Sequence, residues 1–367
     1  MMKKICLMSG AVINAGDFLI EKRSLDLIKH FLKDSEVTIL NRVREDYSNR
    51  VDMLNGFDAV MFCGGPIYQP GVYGKSLPFV NARMLEENRV KPPVFFMGGG
   101  MKGNLYYSNF SSIDKIFFNQ GLHENVPFGC RDVITYRFLK YQGYPALMTG
   151  CPCWYNLDVL EKEELRHPFT DLDSCRKICV SEPAREENVP YLIGLLKHLR
   201  YRFPSAVITL VIHREGKYSI LSNRIIKELD VKIEHISGSV DGFKIYDDCD
   251  LHVGFRVHAH IYNLSIRNFT ILFNEDIRGN GVNQTLGLEN LNIERPPYRM
   301  KRIFGRYSLL EDMSMAIEPQ IIIGRMFDDY LDWTIEQDFN NYKLAFQKMN
   351  HYFINMNTFF QAIKNVI

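Results

Sequence analysis

Residues 254–260, which read Gly-Phe-Arg-Val-His-Ala-His, carry the side chains with the clearest chemical potential in this chain. Apolar residues precede them and recur after them at helical spacing, a pattern that predicts a strand end, a tight turn and a helix start. The first turn of a helix presents unpaired N–H groups that favour anions. Arg256 adds a permanent fork of donors, and His258 adds a proton that moves near neutral pH. The segment therefore predicts an anionic substrate and acid–base chemistry.

Composition narrows the class of protein. With 367 residues, 46% of them hydrophobic, the chain suits two packed domains. A net charge of +1 gives no general attraction to nucleic acid, so we expect no nucleic-acid partner. No stretch resembles a signal peptide or a membrane span, and the eight cysteines form no regular framework, which favours reduced thiols in the cytoplasm. Cys151 and Cys153 form a lone C-x-C, and we predict no metal site.

Apolar strand-like runs alternate with amphipathic segments along the first half of the chain. We predict helices at 17–32 and 132–142, and strands at 3–8, 37–40, 58–63, 94–97 and 146–148. Glycines follow several of these strands. Such alternation predicts a parallel sheet with crossover helices, in which ligands bind outside the carboxyl ends of the strands.

A second alternating unit follows a charged linker at 156–174. We predict its strands at 177–181, 206–213, 232–235, 251–255 and 270–273, and its helices at 190–203, 222–229 and 256–265. Two further helices are predicted at 330–339 and 342–359. The expected fold is α/β, with two Rossmann-like doubly wound domains at 1–160 and 175–320 facing a cleft, and C-terminal helices at 321–367 packing outside.

Three groups of residues in the first half sit where a ligand could bind. Asn14 and Asp17 lie between the first strand and helix, where Asp17 could cap the helix, act as a base or bind a hydroxyl. Gly99 lies in a glycine run after a strand, which suits either a tight turn or a close backbone approach to a ligand. Arg131 and Asp132 open a helix, with Asp132 as its N-cap and Arg131 either paired with it or reaching into the cleft. Neither G-x-G-x-x-G nor a P-loop motif occurs, so no nicotinamide or P-loop nucleotide is predicted.

Further candidates follow the strands of the second half. Arg185 lies on a strand-to-helix loop, as an anion ligand or as a solvated surface residue. His213 ends a strong strand and is either a cleft residue or a hydrogen-bonded structural histidine. Arg278 could add a second positive fork beside Arg256, or form a local surface pair with Asp276.

Taken in order, these pieces resemble the polysaccharide pyruvyl transferase family. The matching motifs cover roughly residues 1–290: Asn-x-Gly-Asp at 14–17, Gly-Gly at 64–65, three glycines at 98–100, Arg-Asp-x-x-Thr at 131–135, Thr-Gly-Cys-Pro at 149–152, Arg-x-His-Ala at 256–259, and Asp-x-Arg…Leu-Gly-Leu at 276–288.

The resemblance implies a fold like that of GT-B glycosyltransferases. It implies transfer of a pyruvyl group from phosphoenolpyruvate to two hydroxyls of a sugar, which forms a cyclic ketal and releases phosphate. His258 would be the general acid or base, Arg256 would bind the donor, and Arg185 would be a second anion ligand. Arg185 departs from the family pattern, because it comes two residues late, after Glu182 and a proline. No cofactor is implied, and phosphoenolpyruvate is a substrate.

The predicted site can now be stated in full. Its catalytic residues are His258 and Asp17, and its substrate-binding residues are Arg256, Val257, Arg185, His213, Arg278, Asn14 and Gly99. The acceptor is a saccharide, and a lipid-linked acceptor would bring the protein to the inner face of the membrane. The aromatic segments at 68–73 and 104–110 are candidate sugar contacts or packing over the sheet.

Two other functions fit the same sequence. The first is a GT-B-like glycosyltransferase that uses a nucleotide sugar, with Glu275 and Asp276 placed to bind its ribose. The second is a non-catalytic protein that binds a glycan or scaffolds a synthesis complex, which the altered surroundings of Arg185 would suit. The C-terminal helices could pack on the first domain or form an oligomer surface.

Overall fold

A computed structural model describes residues 2–71, 80, 82–101, 108–168, 172–214, 228–293, 302–303, 306–307 and 317–367. The predicted helix at 222–229 lies outside the described residues except for its last two positions, and so do residues 72–73 and 104–107 of the two aromatic segments. Among the described residues, no helix combines the length and the apolar character that crossing a bilayer requires.

The first domain is built on parallel strands. Four form one sheet in the order β2-β1-β3-β4: β1 (Lys3–Ser9), β2 (Ser35–Asn41), β3 (Ala59–Cys63) and β4 (Val94–Met97). A parallel bridge between Gly99 and Cys130 links the end of β4 to a further parallel pair, β5 (Phe128–Cys130) and β6 (Ala146–Met148). The chain therefore reverses direction across the sheet between β1 and β3, which creates a crevice at their carboxyl ends.

Helices cover this sheet. They are α1 (Ala15–Phe31), α2 (Val51–Leu54), α3 (Ala82–Glu86), α4 (Ser112–Asn119) and α5 (Val133–Tyr141). All five residues of β3 are buried, as expected for a parallel strand covered on both faces. Asp132 accepts a hydrogen bond from the backbone N–H of Thr135 at 2.8 Å, which confirms it as the N-cap of α5.

The second domain repeats the design with a different strand order. Its sheet runs β12-β11-β10-β7-β8-β9, all parallel, from β7 (Lys177–Ser181), β8 (Val207–Ile212), β9 (Lys232–His235), β10 (Leu251–Gly254), β11 (Thr270–Asn274) and β12 (Leu291–Asn292). Its helices include α6 (Val189–Arg202), α7 (Val257–Ser265) and α8 (Ile277–Leu286). The direction reverses between β7 and β10, which is the topological switch point of this sheet. A two-stranded antiparallel pair follows, β13 (Arg302–Ile303) and β14 (Arg306–Tyr307).

The C-terminal helices differ from their predicted bounds. The helix predicted at 330–339 is the last part of α9 (Ile317–Glu336), and the one predicted at 342–359 lies within α10 (Asn340–Lys364). Asp338 and Phe339 have positive φ angles of 49° and 55°, which end the helical path before residue 339. The helix begins at Ile317, upstream of the predicted start, and its buried residues Ile323 and Phe327 continue the apolar face there.

The last helix, α10, packs against both domains. The ring of Phe360 stacks on Phe31 of α1 with centroids 4.7 Å apart. The hydroxyl of Tyr342 donates to the carbonyl oxygen of Thr270 in β11 at 2.5 Å. This helix therefore helps to hold the two sheets in one arrangement.

Candidate active site at the second switch point

The ends of β7 and β10 meet at the switch point of the second sheet. Gly254 pairs with Ser181, and a Cβ on Gly254 would lie 2.4 Å from the carbonyl oxygen of Ser181, so a larger residue would clash there. The hydroxyl oxygen of Ser181 accepts hydrogen bonds from the backbone N–H groups of Phe255 and Arg256, both at 3.1 Å. These bonds turn the chain out of β10 and set Arg256 as the N-cap residue of α7.

Arg256 is held by a carboxylate that the sequence analysis did not assign. Glu182 follows β7, is fully buried, and accepts hydrogen bonds from Nη2 of Arg256 and from the backbone N–H of His213 at 3.0 Å. Burial raises the pKa of Glu182, and the Arg256 guanidinium opposes that rise. A buried ion pair of this kind is weak evidence for stability, but it fixes the direction of the guanidinium.

His213 lies behind this pair. Its ring is buried, and Nε2 lies 2.7 Å from the hydroxyl oxygen of Tyr246. Burial lowers the pKa of His213 well below its usual value, and the charge of Arg256 lowers it further. The ring is therefore neutral at neutral pH, and the backbone N–H of the same residue binds Glu182, the partner of Arg256.

Two more buried histidines brace the sheet beneath the site. The hydroxyl oxygen of Thr270 lies 2.7 Å from Nδ1 of His252 and 2.9 Å from Nδ1 of His260. Nε2 of His252 lies 3.0 Å from the hydroxyl of Ser181, and Nε2 of His260 lies 3.1 Å from Oδ1 of Asn283. Burial lowers the pKa of both rings, to about 3 for His260. Both serve the packing of the second domain.

His258 reaches the first domain. A Cβ on Gly16, at the start of α1, would lie 2.0 Å from its Nδ1 atom, so the ring fills the space that a side chain at position 16 would need. Burial lowers the pKa of His258 to about 3, and the charges of Arg278, Arg131 and Arg256 add to this effect. The imidazole is therefore neutral at neutral pH in the unliganded protein, and it is a weak base until an anion bound nearby raises its pKa.

Two of these arginines are bound to neighbouring aspartates. Arg278 makes a fork to Asp276, with Nε to Oδ1 at 2.9 Å and Nη2 to Oδ2 at 2.7 Å. Arg131 donates from Nε to Asp132 at 2.8 Å and from Nη2 to the Met101 carbonyl at 2.7 Å. The structure therefore shows the local pair of Arg278 with Asp276, and the charge of Arg278 also lowers the pKa of His258.

Arg185 lies with a different set of residues. Its Nη1 is 3.6 Å from the carboxylate of Glu187, and its backbone N–H donates to Glu275 at 3.3 Å. Glu275, the candidate ribose ligand of the glycosyltransferase alternative, also accepts from the backbone N–H of Ala184 and from Nδ2 of Asn188, both at 2.6 Å. Its carboxylate therefore binds the 182–188 loop in this structure.

The remaining predicted residues lie at the carboxyl edge of the first sheet or at the start of α7. Asn14 caps α1 by accepting from the backbone N–H of Gly16 at 3.4 Å, and it donates to Asp17 at 3.2 Å. Gly99 lies against the ring of Tyr68, and its backbone joins β4 to β5. Val257 is half-buried as the first residue of α7.

Arg42 was missed by the sequence analysis. It directly follows β2, and its side chain lies between the chain ends of β1 and β3 with 6% of the residue exposed. A basic residue immediately after a predicted strand was the available signal. Within the part of the chain that the structure describes, no group of His, Cys, Asp and Glu residues could hold a metal ion.

Comparisons with known proteins agree with this architecture. Residues 14–262 match the family model described as polysaccharide pyruvyl transferase. The structure of S. aureus MnaA with UDP aligns over 100% of this chain and 98% of that chain, with a TM-score of 0.58 and 11% identity. The UDP-GlcNAc 2-epimerase of Neisseria meningitidis bound to UDP-GlcNAc covers 99% and 98%, with a TM-score of 0.54 and 12% identity. A comparison with curated proteins finds no match. At such identities the solved structures share the fold, which confirms the GT-B-like expectation.

Proposed function

This chain belongs to the polysaccharide pyruvyl transferase family, and on that premise we propose that it transfers a pyruvyl group from phosphoenolpyruvate to two hydroxyls of one sugar residue. The observation that carries the proposal is the position of His258. Its neutral ring lies beside Arg256 and touches Gly16 of the opposite domain. Donor and acceptor would meet at this contact.

Arg256 is the proposed ligand for the donor. Phosphoenolpyruvate carries a phosphate and a carboxylate, and a guanidinium binds either group through charge-assisted, planar hydrogen bonds. Glu182 holds Arg256 in place before the donor arrives, so little side-chain freedom is lost on binding. Arg278 and Arg131 add positive charge around the same position.

His258 is the proposed proton carrier. As a neutral base it accepts the proton of the first sugar hydroxyl, whose oxygen forms a bond to C2 of the donor. The imidazolium gives that proton to the methylene carbon as the sugar oxygen bonds to C2: the π electrons of the C2–C3 double bond form the new C–H bond, and the methylene becomes a methyl group. The second hydroxyl displaces phosphate at the same carbon and closes the ketal, and its proton leaves with the phosphate. The negative donor raises the proton affinity of His258 during this cycle.

Asp17 is proposed to orient a sugar hydroxyl. It lies in the first turn of α1, one residue from Gly16, which touches His258. A hydroxyl bound by its carboxylate would face the imidazole across the cleft. Asn14 fixes this carboxylate through its amide nitrogen.

Incubation of the purified protein with phosphoenolpyruvate and a panel of sugars and sugar diphosphates tests this function. We expect phosphate release that depends on a sugar, together with a new ketal methyl signal in the NMR spectrum of the product. Phosphate release without a sugar product would mean hydrolysis and would contradict the proposal. Transfer of a glycosyl group from UDP-sugars instead would establish the glycosyltransferase alternative.

A further inference from the structure

Arg42 marks a second binding position at the switch point of the first sheet. The carboxyl ends of β1 and β3 flank the crevice there, and open α/β sheets bind ligands at such a crevice. Nη2 of Arg42 lies 2.8 Å from the position of a Cβ on Gly10 and 3.4 Å from that of a Cβ on Gly65. The two glycines make room for the guanidinium at the centre of the crevice.

Among the described residues, no anion is bound to the buried guanidinium of Arg42. Only 6% of the residue is exposed, yet Nε has no hydrogen-bond partner, and no carboxylate among the described residues forms an ion pair with it. Arginine is rarely buried unless it is paired, because an unpaired buried charge is costly. Burial lowers the pKa of Arg42, and Cys63 and Asp17 oppose that shift electrostatically.

The other arginines of the cleft differ in this respect. Arg256 binds Glu182, Arg278 binds Asp276, and Arg131 binds Asp132. Of these four arginines, Arg42 is the one that no carboxylate of the described residues holds before a ligand arrives.

We infer that Arg42 binds a phosphate group of the acceptor, so that the acceptor is a sugar linked to a diphosphate carrier. This inference rests on the proposed function, in which the donor takes the Arg256 side of the cleft. The turn of residues 14–17 separates the two positions, because Gly16 touches His258 and Asp17 acts electrostatically on Arg42. A sugar lying along this turn would place its hydroxyls at His258 and its anionic carrier at Arg42.

Calorimetric titration of the purified protein with inorganic pyrophosphate tests the site directly. We expect saturable binding that Arg42→Gln weakens by about 10-fold to 100-fold, and that Arg42→Lys weakens less. Arg44→Gln is the matched control. It removes the same charge from an exposed residue two positions further along the chain. Equal affinities in the wild type and in Arg42→Gln, or no saturable binding by the wild type, would overturn the inference.

A second variant guards against a folding defect in Arg42→Gln. Gly10→Ala keeps the charge but places a methyl group against the tip of the guanidinium. We expect it to weaken pyrophosphate binding while the thermal midpoint stays within a few degrees of the wild type. Unchanged binding in this variant would contradict the placement of the phosphate between β1 and β3.

Carrier-linked probes separate the two sources of a sugar diphosphate. Two compounds would each be competed against pyrophosphate. One is glucose linked through a diphosphate to uridine, and the other is glucose linked through a diphosphate to a short polyprenyl chain. Displacement that depends on Arg42 supports the inference, and the tighter competitor identifies the carrier. If neither displaces pyrophosphate, the inference fails.

Phosphoenolpyruvate titrations keep this test distinct from the proposed function. Arg42→Gln should bind phosphoenolpyruvate as the wild type does. Binding of pyrophosphate through Arg42 in a protein that does not bind phosphoenolpyruvate would sink the proposed function and leave the anion site standing. Loss of phosphoenolpyruvate binding in Arg42→Gln would place the donor there and overturn the acceptor assignment.

Discussion

The two switch points of this molecule satisfy their polar groups in opposite ways. At the second, Glu182, Arg256 and His213 bind one another before any ligand arrives. At the first, glycines line the crevice and the guanidinium of Arg42 has no carboxylate bound to it among the described residues. A network that is already paired holds catalytic groups in position, whereas an unpaired charge favours a ligand of opposite sign. We therefore expect the second domain to hold the catalytic groups and the first domain to bind the anionic part of the acceptor.

The largest effect is expected from removing the proton carrier. His258→Ala should lower kcat by about 100-fold to 10,000-fold, because the hydroxyl would lose its base. Binding of phosphoenolpyruvate should change little, since Arg256 remains. His351→Ala, an exposed histidine on α10, is the control and should leave the rate unchanged. A His258→Ala protein with the wild-type kcat would show that the proton carrier does not lie on the second domain.

Breaking the buried pair should cost stability. Arg256→Gln leaves Glu182 buried without its cation, and the free energy of unfolding should fall by about 3–5 kcal/mol. The double variant Glu182→Gln with Arg256→Gln replaces both charges and should recover most of that loss. Urea denaturation of the wild type, the single variant and the double variant measures the coupling. Additive losses would show that the two side chains do not form one unit.

Filling the contact between the domains should slow the reaction without unfolding the protein. Gly16→Ala places a methyl group on the ring of His258, and turning that ring away should lower kcat by about 10-fold to 100-fold. Overpacking at this contact should cost about 1–3 kcal/mol, which the helix propensity of alanine offsets in part, so the thermal midpoint should fall while the protein stays folded. Wild-type activity in Gly16→Ala would mean that His258 does not work at this contact.

The buried histidines of the second domain predict a pH dependence of stability. His260 has a pKa of about 3 in the folded protein, and an unfolded histidine titrates near 6.5. The unfolded chain therefore takes up the proton first, so this contribution is complete above pH 6.5 and declines as the pH falls toward 3. The loss from His260 should be about 2 kcal/mol at pH 5 relative to pH 7.

Urea denaturation at both pH values, with the wild type and His260→Gln, measures that loss. The variant keeps polar groups near Thr270 and Asn283 but cannot take up the proton. Its stability should depend less on pH than that of the wild type. Equal slopes in the two proteins would show that His260 is not the titrating group.

The strand and helix order was predictable because buried parallel strands read as short apolar runs bounded by glycine. Arg256 and His258 were placed correctly at a strand end and helix start, since that signal is local. The partner of Arg256 was not predictable, because Glu182 is 74 residues away and approaches it through the strand order. The meeting of His258 with Gly16 depends on the relative orientation of the two domains, which no local pattern encodes. Arg42 was not predicted because its interest depends on burial and on the absence of a bound carboxylate among the described residues, which no local pattern shows.

Affinity for phosphoenolpyruvate tests the division between the two switch points most directly. Calorimetry would compare four proteins: the wild type, Arg42→Gln, Glu182→Gln, and the double variant Glu182→Gln with Arg256→Gln. The double variant removes Arg256, the proposed ligand of phosphoenolpyruvate, without leaving Glu182 as an unpaired buried charge. We predict that the double variant binds phosphoenolpyruvate at least about 10-fold more weakly than Glu182→Gln, and that Arg42→Gln binds it as the wild type does. Weakened binding in Arg42→Gln, with the double variant equal to Glu182→Gln, would contradict the account.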